Sequence, residues 1–377
     1  MPSSRWLLPG VLGTAWIITM CYFFTKGYKS SRQIIKVAFI GNSFQFVNDL
    51  PRVLEYFGNG LLQQDSMLHG SLNFYTMTLK GNGMFHRWNT SETAVNADGV
   101  IDYGACTLPQ ILLGYDVWLD DYQDFYVDDG KNPCFQDNEY LEYATAIRTP
   151  GDENNETDDY LSFQEHVPGP PWDYVILNDQ SMRPTDWNNK RNRSGHVLET
   201  TYAPMLAQGQ TIPILFMTWA YWRDDFYYMD TFVDIPTFTR RLYEGYQYYA
   251  KILEEALPET QQPRIAPVGL AFLVIWEENP AFWKEKLFSA TDHFHPSPHG
   301  TYLTACVVYS TIYGQLPPAW TRFTNPVFER SRRMELDGDP LPLPTEDEAL
   351  YLRHIAARVS LHGYVPKSLF QTADNGD

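Results

Sequence analysis

The stretch Ile34-Ile35-Lys36-Val37-Ala38-Phe39-Ile40-Gly41-Asn42-Ser43-Phe44 decides the fold. Residues 34–40 are β-branched and nearly all apolar, as in a strand that is buried on both faces of a parallel sheet. The strand is predicted to end at Gly41. Asn48-Asp49-Leu50-Pro51 then supplies a helix N-cap and an early proline, and apolar residues recur at helical spacing at Val53, Leu54, Phe57 and Leu61. The order strand, short loop, helix is typical of an α/β protein.

Three further apolar runs have the same character, and polar or helical sequence follows each of them. They are Trp172–Leu177, Ile212–Met217 and Arg264–Val268. Helical spacing is clearest in Arg240–Leu257 and Gly300–Tyr313. Strands that alternate with helices predict a three-layer α/β/α sandwich with a central parallel sheet.

The predicted sandwich occupies residues 34–317, between an N-terminal segment (1–33) and a proline-rich tail (318–377). In the tail, Thr345 and Glu348 have the spacing of a capping box, which predicts one helix that runs to about Leu361.

The composition excludes a disordered chain and disfavours a nucleic-acid-binding one. Hydrophobic residues make up 44% of the 377 residues and aromatic residues 15%, which is ample for a packed core. The formal net charge is −18 and no stripe of Lys or Arg interrupts it, so phosphate backbones are repelled.

Most of this charge lies in residues 116–165, which carry 15 acidic residues against Lys131 and Arg148. Their spacing is not that of a calcium loop, and we interpret the segment as a solvated acidic insertion.

Residues 1–33 predict a signal anchor and a linker. Trp6–Phe24 carries no charge, and at about 1.5 Å per residue it just spans a bilayer core of about 30 Å. Basic residues after the span favour a cytosolic body, whereas N-glycosylation sequons at Asn89, Asn155 and Asn192 favour the opposite side. We therefore expect a single-pass type II membrane protein that faces the ER or Golgi lumen or the extracellular space; the alternative is secretion after signal cleavage.

Four cysteines add little to this assignment. Cys21 lies in the apolar span, and Cys106 and Cys134 can pair in an oxidising lumen. Cys306 lies in an apolar run that is typical of a small core thiol.

A candidate catalytic set lies at the two ends of the predicted sandwich. Ser43 follows the first buried strand, and open α/β sheets bind ligands outside the carboxyl ends of their strands. A serine hydroxyl is a weak nucleophile and needs a general base. Asp292 and His295 stand three residues apart on a turn with Pro296 and Pro298. This spacing lets the carboxylate hold Nδ1 of the imidazole while Nε2 faces the serine, so we predict a Ser-His-Asp triad.

Donors for an oxyanion are expected in two places. Lys80-Gly81-Asn82-Gly83 is a glycine-rich turn whose backbone N–H groups can point at an oxyanion, and Asn178 terminates a predicted strand. An ordinary loop and an Asx turn are credible alternative explanations of the two features when each is taken singly. No cysteine or acidic residue has metal-ligand spacing around the His-rich turn 292–299, so no metal and no other cofactor is predicted.

These blocks together resemble the SGNH (GDSL-type) hydrolases. The resemblance is carried in chain order by Gly41-Asn42-Ser43-Phe44, the turn at Gly83, Val175-Ile176-Leu177-Asn178-Asp179 and Asp292-x-x-His295-Pro296-Ser297. It is greatest for an uncharacterised branch with I-G-N-S-F and D-x-x-H-P-S blocks, and it covers about residues 34–317. Position 42 is Asn where the commonest first block has Asp.

The family resemblance implies a role for each matched residue. Ser43 attacks an acyl carbonyl, His295 acts as general base and then as acid, and Asp292 orients His295. The oxyanion is held by the backbone N–H groups of Ser43 and of Gly83, with Gly81 as the alternative, and by the side chain of Asn178. Apart from the resemblance, Trp219, Asp179 and Gln180 are candidate substrate contacts, because they follow predicted strands at the same edge of the sheet; aromatic core packing explains Trp219 about as well.

The function expected from the sequence is a serine esterase that hydrolyses a small acyl ester. O-acetyl groups on carbohydrate are the leading substrate. Two alternatives stay open: a carbohydrate O-acyltransferase that uses the same triad, and a catalytically silent glycan-binding protein.

Overall fold

The computed structural model describes residues 33–68, 73–78, 108–113, 170–186, 189–221, 234–290, 292–319, 323–325, 327–328 and 341–371. Nearly all of them belong to one compact unit, Ile35–Asp377. The predicted anchor at Trp6–Phe24, the acidic insertion at 116–165 and the glycine turn at 80–83 lie outside the described residues. Among the helices that are described, none combines the length and the apolar character that a membrane span requires.

A parallel sheet forms the centre of this unit. Its strands are β1 (Ile35–Gly41), β2 (Leu62–Leu68), β3 (Tyr174–Leu177), β4 (Ile212–Phe216) and β5 (Arg264–Ala266). They lie in the order β2-β1-β3-β4-β5, and every neighbouring pair is parallel. The α/β class with a central parallel sheet is thereby confirmed.

Helices alternate with the strands along the chain. They are α1 (Ser43–Phe46), α2 (Leu50–Gly58), α3 (Phe74–Met77), α4 (Leu108–Leu113), α5 (Lys190–Val197), α6 (Ala203–Gly209), α7 (Ile235–Ala256), α8 (Val268–Glu278), α9 (Pro280–Lys286), α10 (Pro298–Tyr313) and α11 (Glu346–Ser360). Helix α7 begins five residues before the predicted start because Asp234 caps it, accepting the N–H of Thr237 at 2.6 Å, with a proline in the first turn. The predicted capping box of Thr345 and Glu348 is present at the start of α11.

Strand β1 is covered on both faces. Val37, Ala38, Phe39 and Ile40 have no exposed surface. Because successive side chains of a strand point to opposite faces, this burial requires packed elements above and below the sheet. The uninterrupted apolar run in the sequence reflects that double cover.

Strand β2 has a polar sequence, Leu62-Gln63-Gln64-Asp65-Ser66-Met67-Leu68, and the sequence analysis did not predict it. It forms the edge of the sheet, yet Asp65 and Ser66 have no exposed surface. Its polar side chains lie beside α2, where Arg52 and Asp49 form a buried ion pair at 2.9 Å. Burial raises the pKa of the neighbouring Glu55 to about 8, against the opposing charge of Arg52.

The strand order reverses between β1 and β3. Strand β2 lies on one side of β1, and β3, β4 and β5 follow on the other. A sheet of this order binds ligands at that reversal, in the crevice outside the carboxyl ends of its strands. Ser43 lies two residues after the end of β1 and Asn178 directly follows β3, so both predicted site residues lie at this point.

Candidate active site

Ser43 is the first residue of α1, and its neighbours are fixed by hydrogen bonds. Asn42 is the N-cap, and its Oδ1 accepts the backbone N–H of Phe44 at 3.2 Å. Gly41 is required by close approach, since a Cβ there would lie 1.8 Å from Oδ1 of Asn178. Ser43 itself is half-buried, whereas the residues on either side of it are buried. The serine therefore retains a surface that a substrate can reach.

Asp292 uses its two carboxylate oxygens for different partners. Oδ2 lies 2.5 Å from Nδ1 of His295, and Oδ1 accepts the backbone N–H groups of Phe294 and His295, each at 3.0 Å. Burial raises the pKa of Asp292, but the hydrogen bond and charge of His295, together with the two backbone N–H groups, outweigh burial and hold the pKa below its ordinary value. Asp292 is thus an ionised carboxylate that fixes both the loop and the ring.

The loop that carries His295 is tied to the end of α9 and the start of α10. Ser289 donates its N–H to the carbonyl of His295 at 2.9 Å, and Ser297 donates its N–H to the carbonyl of Leu287 at 3.0 Å. The hydroxyl of Ser297 donates to the carbonyl of Lys286 and accepts the N–H groups of His299 and Gly300. The Pro-Ser pair after His295 therefore closes the loop and caps the helix that follows.

Aromatic contacts bring together two parts of the chain, the serine segment (residues 43–49) and the histidine loop (residues 292–297). The ring of Phe44, the residue after Ser43, lies 5.9 Å from the imidazole of His295, centroid to centroid. Phe294 covers the imidazole at 4.0 Å. Nε2 of His295 is buried, and within the described residues it has no hydrogen-bond partner. Ser43 is therefore not hydrogen-bonded to Nε2 in this structure, and the ring of Phe44 is what brings the two residues near each other.

Asn178 is the centre of a buried amide network. Its Oδ1 accepts the N–H of Asn42 at 3.2 Å and Nε2 of Gln45 at 2.6 Å. Its Nδ2 donates to Oδ1 of Asn42 at 2.9 Å and to the carbonyl of Asp179 at 3.1 Å. Both N–H groups of the predicted oxyanion donor therefore have partners within the protein. Gln45 was not singled out from the sequence, because its role depends on a contact across 133 residues.

The candidate substrate contacts differ in their accessibility. Trp219 has no exposed surface, stacks on Phe272 at 4.5 Å and donates Nε1 to the carbonyl of Phe294 at 3.0 Å. Trp219 therefore packs in the core, which is the alternative that the sequence left open, and its indole N–H supports the histidine loop. Asp179 is also fully buried; it accepts the N–H of Phe74 at 3.1 Å and the hydroxyl of Tyr249 at 2.8 Å. Gln180 is half-buried.

Gly83 and Gly81, the two alternative oxyanion donors, lie outside the described residues. So do the sequons at Asn89 and Asn155 and the cysteines Cys106 and Cys134. Cys306 is buried in α10 as a free thiol, and burial raises its pKa to about 12. Asn192 is exposed on α5, whereas Ser194 of the same sequon is buried.

Comparisons with known proteins find two solved structures that match this chain. No protein-family model matches the chain, and no curated protein matches it. A protein from Slackia heliotrinireducens, described as "a putative SGNH hydrolase", is 14% identical over 74% of this chain and 100% of its own, with a TM-score of 0.39. A DUF4886 family protein from Bacteroides uniformis ATCC 8492 is 14% identical over 88% of this chain and 97% of its own, with a TM-score of 0.46. Identities and TM-scores this low do not assign the chain to a family.

Proposed function

We propose that this protein is a serine hydrolase of SGNH type that cleaves a small acyl ester through an acyl-enzyme on Ser43. The arrangement of His295 carries the proposal. Its Nδ1 is held by the carboxylate of Asp292 at 2.5 Å, its Nε2 is buried without a partner among the described residues, and its ring packs on the residue that follows Ser43. A histidine that only supported the fold would be expected to have both nitrogens satisfied.

In the proposed reaction, Oγ of Ser43 attacks the acyl carbon and its proton passes to Nε2 of His295. Asp292 stays ionised and stabilises the imidazolium. Collapse of the tetrahedral intermediate breaks the ester C–O bond, and the imidazolium returns the proton to the leaving alkoxide. Water then attacks the acyl-enzyme with His295 as base again, which releases the carboxylic acid and restores Ser43.

The oxyanion formed in each half-reaction needs donors near Ser43. The backbone N–H of Ser43 is in the first turn of α1, where an intrahelical acceptor is lacking. We include Asn178 and Gly83 as the further donors. O-acetyl carbohydrate is the first substrate class to test, and the predicted N-terminal anchor would place the reaction in the lumen or outside the cell.

Active-site labelling and an ester panel test this proposal. Full-length protein made in a secretory host should react with a fluorophosphonate at Ser43 and hydrolyse acetyl esters. Because Ser43 and His295 act as a unit, Ser43→Ala, His295→Ala and the double variant should each lose more than about 1,000-fold in kcat. Additive losses, or labelling that survives in Ser43→Ala, would contradict these roles. Acylated sugar formed on adding an oligosaccharide would instead identify an acyltransferase.

A further inference from the structure

Asn48 joins the serine segment to the histidine loop and to the start of α10. Its Nδ2 donates to the carbonyl of Pro296 at 2.6 Å and to Oγ1 of Thr301 at 3.0 Å. Pro296 follows His295 directly, and Asn48 lies five residues after Ser43. These hydrogen bonds therefore span 248 and 253 residues of sequence and connect the two halves of the proposed catalytic pair.

The backbone at this point is held in an uncommon conformation. Asn48 has a φ of 59°, and the next residue, Asp49, has a φ of 55°. Non-glycine residues with positive φ are uncommon, although Asn and Asp tolerate it best, and two in succession persist only when the surroundings fix them. Asn48 is also 97% removed from solvent, with 3% of its surface exposed. The fold thus directs a buried amide at the histidine loop although the local conformation is unfavourable.

We propose that Asn48 is a positioning residue that sets the separation between Ser43 and His295. This inference rests on the proposed function of that pair. Both hydrogens of the amide are used, so neither Asp nor Gly at this position can replace the contacts. Near-attack geometry requires the reacting atoms within about 3–3.5 Å, and a misplacement of about 1 Å can lower the rate about 100-fold.

Two variants separate this role from a role in backbone conformation alone. Asn48→Gly removes the amide and makes the positive φ easier to adopt. Asn48→Asp keeps the side-chain shape and a tolerated φ, but it places a carboxylate oxygen against the carbonyl of Pro296. Asn59→Gly is the matched control, because Asn59 also has a positive φ, of 48°, and is exposed at the end of α2.

Hydrogen exchange and ester kinetics on the full chain provide the measurements. In Asn48→Gly and Asn48→Asp, exchange should rise in residues 43–49 and 292–301 together, and kcat should fall about 10- to 100-fold while KM changes less than about twofold. Asn59→Gly should match the wild type in both. The proposal would be overturned if exchange in those segments were unchanged, if kcat were unchanged, or if Asn48→Asp had the full activity of the wild type. If the wild type fails to label with fluorophosphonate, the hydrolase proposal fails, and exchange alone decides whether Asn48 joins the segments.

Discussion

Replacing Asp292 with asparagine separates the two functions of its carboxylate. Oδ1 accepts two backbone N–H groups of the loop, and Oδ2 accepts Nδ1 of His295. An asparagine can keep its oxygen on the backbone and turn its NH₂ group toward Nδ1. The imidazole must then accept at Nδ1 and carry its proton on Nε2, which is the tautomer that cannot take a proton from Ser43.

The different partners of the two carboxylate oxygens determine how much kcat and the free energy of unfolding should change. The wrong tautomer lowers kcat by about 10⁴-fold in a Ser-His-Asp site, which corresponds to about 5.4 kcal/mol in the activation free energy. The free energy of unfolding should fall by less than about 2 kcal/mol, because all three hydrogen bonds are kept and lose only their charge-assisted component. Asp292→Ala is the comparison, since it removes all three contacts and should destabilise the loop further.

Ester hydrolysis and urea unfolding, measured on the same preparations, test both figures. The expected result is an Asp292→Asn protein that unfolds close to the wild type and has almost no activity. A kcat within tenfold of the wild type would refute the assignment of Asp292 as the residue that fixes the tautomer. A loss of unfolding free energy as large as that of Asp292→Ala would refute the division between the two oxygens.

Three further predictions concern groups around the site. Gly41→Ala should lower the free energy of unfolding by about 2–4 kcal/mol, because its Cβ would displace Oδ1 of Asn178 from two buried hydrogen bonds; in urea unfolding it should lose more than Gly60→Ala, where φ is +77° and the space is open. Burial lowers the pKa of His299 below 6.5 against the opposing effect of Glu348. As the pH falls, the imidazole of His299 is therefore protonated in the unfolded chain before it is protonated in the folded protein, so the free energy of unfolding should fall below pH 6.5. The melting temperature of His299→Gln should decline less over the same pH range than that of the wild type. Asn42→Asp should lower both stability and kcat, because a carboxylate cannot make the donation of Nδ2 to the carbonyl of Asp179 at 3.2 Å; full activity in this variant would contradict it.

The sequence predicted those parts of the fold whose signals are local. Strands β1, β3 and β4 were found because their side chains are mostly apolar and buried, and β5 was found because an apolar run begins at Ile265. Helix α11 was found because its capping box lies within four residues. Strand β2 was missed because Gln64, Asp65 and Ser66 are polar although they are buried, and a hydrophobicity pattern does not register buried polar residues.

The same distinction applies to the candidate site. Asp292 and His295 were predicted as a pair because a spacing of three residues fixes their geometry, and the structure has that contact. The segment Asn48-Asp49-Leu50-Pro51 was predicted to supply a helix cap, and Asp49 is the N-cap of α2, without a side-chain cap hydrogen bond. The contact of the Asn48 amide with Pro296 was not predicted. For Trp219 the sequence could not distinguish a substrate contact from a core residue. Only the fold shows that this side chain is buried against Phe272.

The occupied amide of Asn178 is compatible with a role at the oxyanion. Nδ2 donates to a neutral acceptor, Oδ1 of Asn42, and Oδ1 of Asn42 has a second donor in the N–H of Phe44. Hydrogen bonds to a charged oxygen are about twice as strong as those between neutral groups, so a developing oxyanion can draw this donor away while Oδ1 of Asn42 stays satisfied. The exchange would occur only once charge has formed beside Ser43. A donor of this kind stabilises the transition state without tightening substrate binding, which is the condition for raising kcat.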